Sequence, residues 1–122
     1  MKTDIYALGI DVGSTTVKTV VIDCNSKIIY SNYERHFSKV KETVIRQIKK
    51  IGEQFGDAVF RLSITGSAGL GLAQASSLPF VQEVHSAFVA VKETYPDADA
   101  VIELGGEDAK IIFLTGGVEQ RM

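Results

Sequence analysis

Residues 9–18 read GIDVGSTTVK: Asp11 ends an apolar run, Gly13 breaks the chain, Ser14, Thr15 and Thr16 supply hydroxyls, and Lys18 re-enters an apolar run. Together these residue types suit a phosphorylated ligand and its metal. Glycine lets the backbone approach a phosphate without a Cβ in the way, and successive turn N–H groups form a concave set of donors for anionic oxygens. The hydroxyls add donors and Lys18 adds positive charge. Asp11 suits Mg²⁺, held directly or through water, because magnesium takes oxygen ligands and keeps several waters. A plain hairpin turn uses the same residue types, so one copy of so short a motif decides little.

The chain carries a second copy. Residues 102–110, IELGGEDAK, repeat the layout: apolar, acid (Glu103), apolar, glycine (Gly105), a polar turn containing Gly106 and Asp108, a small apolar residue, and lysine (Lys110). The spacing from acid to lysine is the same in both. A repeat implies related structural units, and two such hairpins facing one another would grip a triphosphate from both sides. This is not a Walker-type loop, since no G-x-x-x-x-G-K-[ST] occurs and each motif lies between two strands.

The elements that must position these residues follow from periodicity and turn chemistry. Tyr6–Val12 and Val17–Asp23 read as a hairpin, and a turn at Cys24–Lys27 leads to a third strand over Ile28–Arg35. Ser38 reads as an N-cap for a helix whose Val40, Val44, Ile45, Ile48, Ile51 and Phe55 share a face and which Gly56 stops. Val59–Thr65 is a strand entering the glycine-rich TGSAGLGLA, Leu78–Val81 a short strand, Glu83–Tyr95 a helix, and Ala100–Leu104 and Ala109–Leu114 a closing strand pair. The order predicts an α/β fold: a five-stranded mixed sheet with its first three strands antiparallel and helices on both faces.

Composition narrows the function classes. The 122 residues carry a formal net charge of −2, against a nucleic-acid or membrane-surface binder. The one cysteine, Cys24, makes no internal disulfide, and with no signal-peptide core or apolar run of membrane length the reading is cytoplasmic. Gly66, Gly69 and Gly71 follow G-x-x-G-x-G, which reverses a dinucleotide fingerprint, so a close-packed turn is expected there. His36 and His85 lack partners at metal spacing and read as structural or solvent-facing. Lys39, Lys41, Arg46, Lys49 and Lys50, interrupted by Glu42 and Glu53, read as a solvated helix face.

The stretch LGIDVGSTTVK resembles the first phosphate loop of the acetate and sugar kinase, Hsp70 and actin superfamily, and IELGGEDAK its second. Within it the chain is most similar to the BadF/BadG/BcrA/BcrD-type ATPases, which include activators of 2-hydroxyacyl-CoA dehydratases; YERHFS and ITGSAGLGLA extend the likeness over nearly the whole chain. The resemblance implies a ribonuclease H-like (actin-like) ATPase domain over residues 1–97 and the opening hairpin of a truncated second domain over 98–122. It implies ATP and Mg²⁺ as ligands, with Asp11 serving the metal. Gly13, Ser14, Thr15, Thr16, Lys18, Gly105, Gly106 and Lys110 would contact phosphate, and Glu103 and Asp108 would lie near metal and water. By the same resemblance, the full-length parent is a homodimer. ATP hydrolysis there drives an electron from a 4Fe-4S cluster into a dehydratase or reductase partner. Glu103 and Glu107 replace the aspartate and glutamine of short activators, which points to a long, multi-domain member, and Cys24 alone holds no cluster. A small-molecule kinase of the same superfamily and a non-hydrolysing, nucleotide-dependent interaction module are the alternatives. The fragment alone is expected to be inactive.

Overall fold

The computed structural model describes residues 4–104, 109–113 and 120–121. Its backbone divides into two compact units, residues 1–80 and 81–122.

The first unit holds strands β1 (Ile5–Val12), β2 (Thr16–Ile22) and β3 (Ile28–Arg35), helix α1 (Val40–Phe55), strand β4 (Val59–Thr65) and helix α2 (Gly69–Ser76). The sheet order is β3-β2-β1-β4, with β1, β2 and β3 antiparallel in sequence and β4 parallel to β1. The sheet therefore has four strands rather than five. Leu78–Val81 contributes a single bridge, Phe80 to Ile64, with the Ile64 N–H donating to the Pro79 carbonyl at 2.9 Å. Pro79 has no N–H to continue a ladder, which limits this segment to one rung.

One face of the sheet makes the core. Leu8, Ile10, Val12, Val17, Val21 and Ile64 are buried there against Val44 and Ile51 of α1 and Ala73 of α2. Both helices of this unit pack on that face; the other carries Ala7, Gly9, Asp11, Lys18, Val20, Ile22, Ser63 and Thr65. The core face of α1 also differs from expectation. Thr43, Val44, Gln47 and Ile51 are its buried residues, while Ile45 and Ile48 are 44% and 39% exposed. Gln47 wins a core position because its Oε1 accepts from Thr19 Oγ1 at 2.8 Å and its Nε2 donates to the Val17 carbonyl at 3.0 Å. A buried amide satisfied at both ends is tolerated where an unpaired one is not.

Ser38 is not the cap of α1. Lys39 takes that position without a side-chain bond, and Ser38 lies in the left-handed region at φ 63°. Gly56 ends the helix as expected, its N–H donating to the Gly52 carbonyl. Arg46 Nη2 reaches back to Glu34 Oε2 on β3 at 2.6 Å, and that hydrogen bond holds the Glu34 carboxyl below its ordinary range.

The second unit comprises α3 (Glu83–Thr94) and an antiparallel sheet of β5 (Ala100–Leu104), β6 (Ala109–Phe113) and β7 (Gln120–Arg121). Lys92 Nζ donates to the Pro96 and Ala98 carbonyls, tying the end of α3 to the connector. Ile102 and Leu104 are 69% and 79% exposed.

Candidate functional site

Asp11 lies on β1 one rung before the first turn, paired in register with Lys18 on β2 and, on its other side, with Thr65 on β4. Partners in register share a sheet face, so the three side chains stand in a row. Lys18 Nζ donates to Asp11 Oδ2 at 3.3 Å and also lies 5.6 Å from the centre of the Tyr33 ring. Among the described residues the other carboxylate oxygen, Asp11 Oδ1, is buried without a hydrogen-bond partner, and so is Thr65 Oγ1 beside it. Orphaned buried oxygens are rare in proteins and call for an explanation such as a bound ion or water. Two adjacent oxygen ligands, one of them anionic, have the chemistry that Mg²⁺ takes.

Above Asp11 lies the turn from β4 into α2. Gly66 adopts φ +103°, and a Cβ on it would overlap the Val12 carbonyl and come within 2.6 Å of Asp11 Oδ1. The Ala68 N–H donates to the same Val12 carbonyl at 2.9 Å. The glycine-rich segment thus closes over the end of β1 as a close-packed turn, as its sequence suggested.

The loop between β1 and β2 is closed by the Gly13 N–H donating to the Thr16 carbonyl at 2.9 Å. Ser14 at its tip is exposed, Thr15 half-buried and Thr16 buried, so Ser14 and Thr15 are the hydroxyls nearest solvent. Among the described residues nothing requires glycine at position 13: a Cβ there would make only ordinary contacts with Thr16. His36, buried at the end of β3, reaches this loop. Its Nε2 lies 3.0 Å from the Gly13 carbonyl, and its backbone N–H donates to the Thr15 carbonyl at 3.0 Å. Sequence reasoning left His36 structural or solvent-facing; the signal that it belongs here is the turn it enters, not its own neighbours.

The second motif repeats the register of the first. Glu103 pairs with Lys110 and Leu104 with Ala109, as Asp11 pairs with Lys18 and Val12 with Val17. Each pair of strands thus opposes an acid to a lysine one rung before its last pair, Val12–Val17 in the first and Leu104–Ala109 in the second. Gly105, Gly106 and Asp108 lie outside the described residues. Of the other candidates, Cys24 is exposed in the β2–β3 turn and His85 is exposed on α3. Among the described residues no three His, Cys, Asp or Glu side chains cluster as a metal site, and no helix is long and apolar enough to cross a membrane. With one cysteine in the sequence, these residues do not fit an iron–sulfur cluster.

No family model matches the chain. It is 31% identical over 106 residues to an uncharacterized protein of Methanocaldococcus jannaschii, covering 86% of this chain and 42% of that protein. It is 26% identical over 123 aligned positions to the (R)-2-hydroxyglutaryl-CoA dehydratase activating ATPase of Acidaminococcus fermentans, covering 93% of this chain and 44% of that one. Among solved structures, the activator of the 2-hydroxyisocaproyl-CoA dehydratase from Clostridium difficile, with bound ADPNP, superposes with a TM-score of 0.75 at 21% identity, over 96% of this chain and 44% of that one. The fold is the actin-like ATPase fold. The chain spans less than half the length of the curated relatives it matches.

Proposed function

We propose that the chain belongs to the family of the 2-hydroxyacyl-CoA dehydratase activating ATPases, to which it is similar in sequence and fold, and that it supplies the first phosphate loop of a cytoplasmic, magnesium-dependent ATPase. The observation that carries this reading is Asp11 Oδ1, a buried carboxylate oxygen with no partner among the described residues, next to Thr65 Oγ1 in the same condition. Asp11 would hold Mg²⁺, directly or through water, and the metal would supply charge neutralisation at the phosphates. Ser14 and Thr15, the Gly13–Thr16 backbone and Lys18 would bind phosphate oxygens. Gly105, Gly106 and Lys110 would bind them from the second motif, with Glu103 and Asp108 directing the attacking water. The equal register of the two hairpins supports assigning both of them to the phosphates.

Residues 1–97 would form the first ribonuclease H-like domain and 98 onward the start of its relative. In a protein of its relatives' length, hydrolysis would couple to electron delivery into an acyl-CoA dehydratase or reductase, from a cluster at a homodimer interface whose cysteines are not among these residues. Phosphoryl transfer rests on positioning and charge stabilisation, so we assign turnover to the full-length protein and negligible hydrolysis to these 122 residues alone.

The test is phosphate release by the full-length protein with ATP and Mg²⁺ and no organic acceptor. Release of phosphate and ADP in equal amounts, abolished by EDTA, is expected. Phosphate appearing only on an added sugar or acetate overturns the reading in favour of a kinase; binding without turnover makes the protein an interaction module.

A further inference from the structure

We infer that His36 is a positioning residue for the first phosphate loop, holding its peptides so that their N–H groups are presented to the ligand; this rests on the ATP reading above. The ring's protonation follows from its partners. The Ser38 N–H donates to His36 Nδ1 at 3.0 Å, so Nδ1 is an acceptor and the neutral ring carries its proton on Nε2. That proton is donated to the Gly13 carbonyl, while the His36 backbone N–H takes the Thr15 carbonyl. A trans peptide points its C=O and the following N–H in opposite directions. Drawing the Gly13 and Thr15 carbonyls toward His36 therefore aims the N–H groups of Ser14 and Thr16 to the other side. One residue sets the direction of two peptides in a loop of four.

The backbone is distorted to make this possible. Phe37 and Ser38 adopt φ 48° and 63°, two consecutive left-handed residues neither of which is glycine. Such conformations persist only where surrounding structure imposes them, and they concentrate at functional sites. Burial of Phe37 does not impose this one: its side chain is 72% exposed, with the Arg35 guanidinium 5.0 Å from its ring centre. What the turn accomplishes is to bring the Ser38 N–H onto Nδ1, with the Lys39 N–H closing it on the His36 carbonyl at 2.7 Å. The strained turn fixes the tautomer, and the tautomer fixes the loop.

Glutamine and asparagine separate this role from simple support of the turn. A glutamine amide nitrogen reaches the position of Nε2 and can keep the bond to Gly13; an asparagine amide oxygen reaches the position of Nδ1 and can keep only the bond from Ser38. Nitrogen-detected NMR of the chain is expected to show the Nε2–H tautomer, and the Gly13 carbonyl carbon shift, which reads the bond accepted from the ring, to stay near wild type in His36→Gln but to move upfield in His36→Asn. Affinity for Mg-ATP in the full-length protein is expected to fall roughly 5- to 20-fold in His36→Asn, the worth of one or two hydrogen bonds, and to stay within about twofold of wild type in His36→Gln. An Nδ1–H tautomer, or a Gly13 carbonyl shift restored by Asn rather than by Gln, overturns the inference. Wild-type protein that binds no Mg-ATP overturns the ATP reading instead, and the tautomer and carbonyl-shift results still judge His36.

Discussion

Lys18 and Asp11 are cross-strand partners joined through one oxygen only: Nζ lies 3.3 Å from Oδ2, while Oδ1 is buried toward Gly66 without a partner. The ion pair thus leaves half of the carboxylate for another ligand. Both side chains are about a third exposed, so the pair itself adds about 1 kcal/mol or less to stability. In the full-length protein Asp11→Ala should lower ATP turnover by about 100-fold or more through lost metal placement. Lys18→Ala should weaken nucleotide binding by about tenfold. Steady-state ATPase and thermal melts at one magnesium concentration check both; an Asp11→Ala protein with full turnover refutes the site.

Gly13 offers a sharper test, because the fold does not need it. An added Cβ meets nothing closer than 3.5 Å, so Gly13→Ala should leave the melting temperature nearly unchanged. If the backbone here lies against phosphate, the same methyl group should weaken Mg-ATP binding by about tenfold or more. Titration calorimetry and a thermal melt on the same sample decide it, and unchanged affinity would show that no phosphate lies against Gly13.

Gly66 should behave in the opposite way. Its φ of +103° and the overlap of any Cβ with the Val12 carbonyl mean that Gly66→Ala must move β1 or the β4–α2 turn. A loss of about 2–4 kcal/mol is expected in urea unfolding. A variant as stable as wild type would show that the turn does not sit on β1.

The buried Thr19–Gln47–Val17 network should respond as a unit. Gln47→Leu leaves the Thr19 hydroxyl and the Val17 carbonyl without their bonds to the amide, at a cost of about 2–4 kcal/mol. Thr19→Val orphans the amide oxygen in turn. The double variant should cost less than the sum of the two, which a double-mutant cycle by urea unfolding measures.

The first hairpin and its acid–lysine pair could be read from the sequence because everything that makes them is local: turn residues, alternation, and charges seven positions apart. The echo at Glu103 and Lys110 held for the same reason. Gln47 was missed because a polar residue at core spacing reads as surface unless its partners on β2 are known, and those partners lie on another element. Ile45 and Ile48 were misplaced by the same error, the helix face being rotated toward them. His36 was undecided because its role depends on the conformation of Phe37 and Ser38, which no residue preference foretells. Leu78–Val81 makes one rung rather than a strand because apolar alternation is visible in the sequence, whereas the N–H that Pro79 withholds counts only once the neighbouring strand is known.

The parallel seating of β4 beside β1 also gives the site a history. β1 meets β2 across a short turn, but meets β4 only after β3 and α1 have intervened. Hairpins close in about 1–10 μs, whereas pairings between distant segments carry a larger loop-closure cost and form late. Asp11 therefore gains Lys18 early and Thr65 and Gly66 late, so the emerging chain holds an open, water-filled half of the site before the roof arrives. Pulse-labelled amide exchange during refolding should find Val17–Val21 protected before Leu62–Ile64. The same order means that a nascent chain halted before Val59 carries the carboxylate and the lysine, with nothing yet to enclose what they attract.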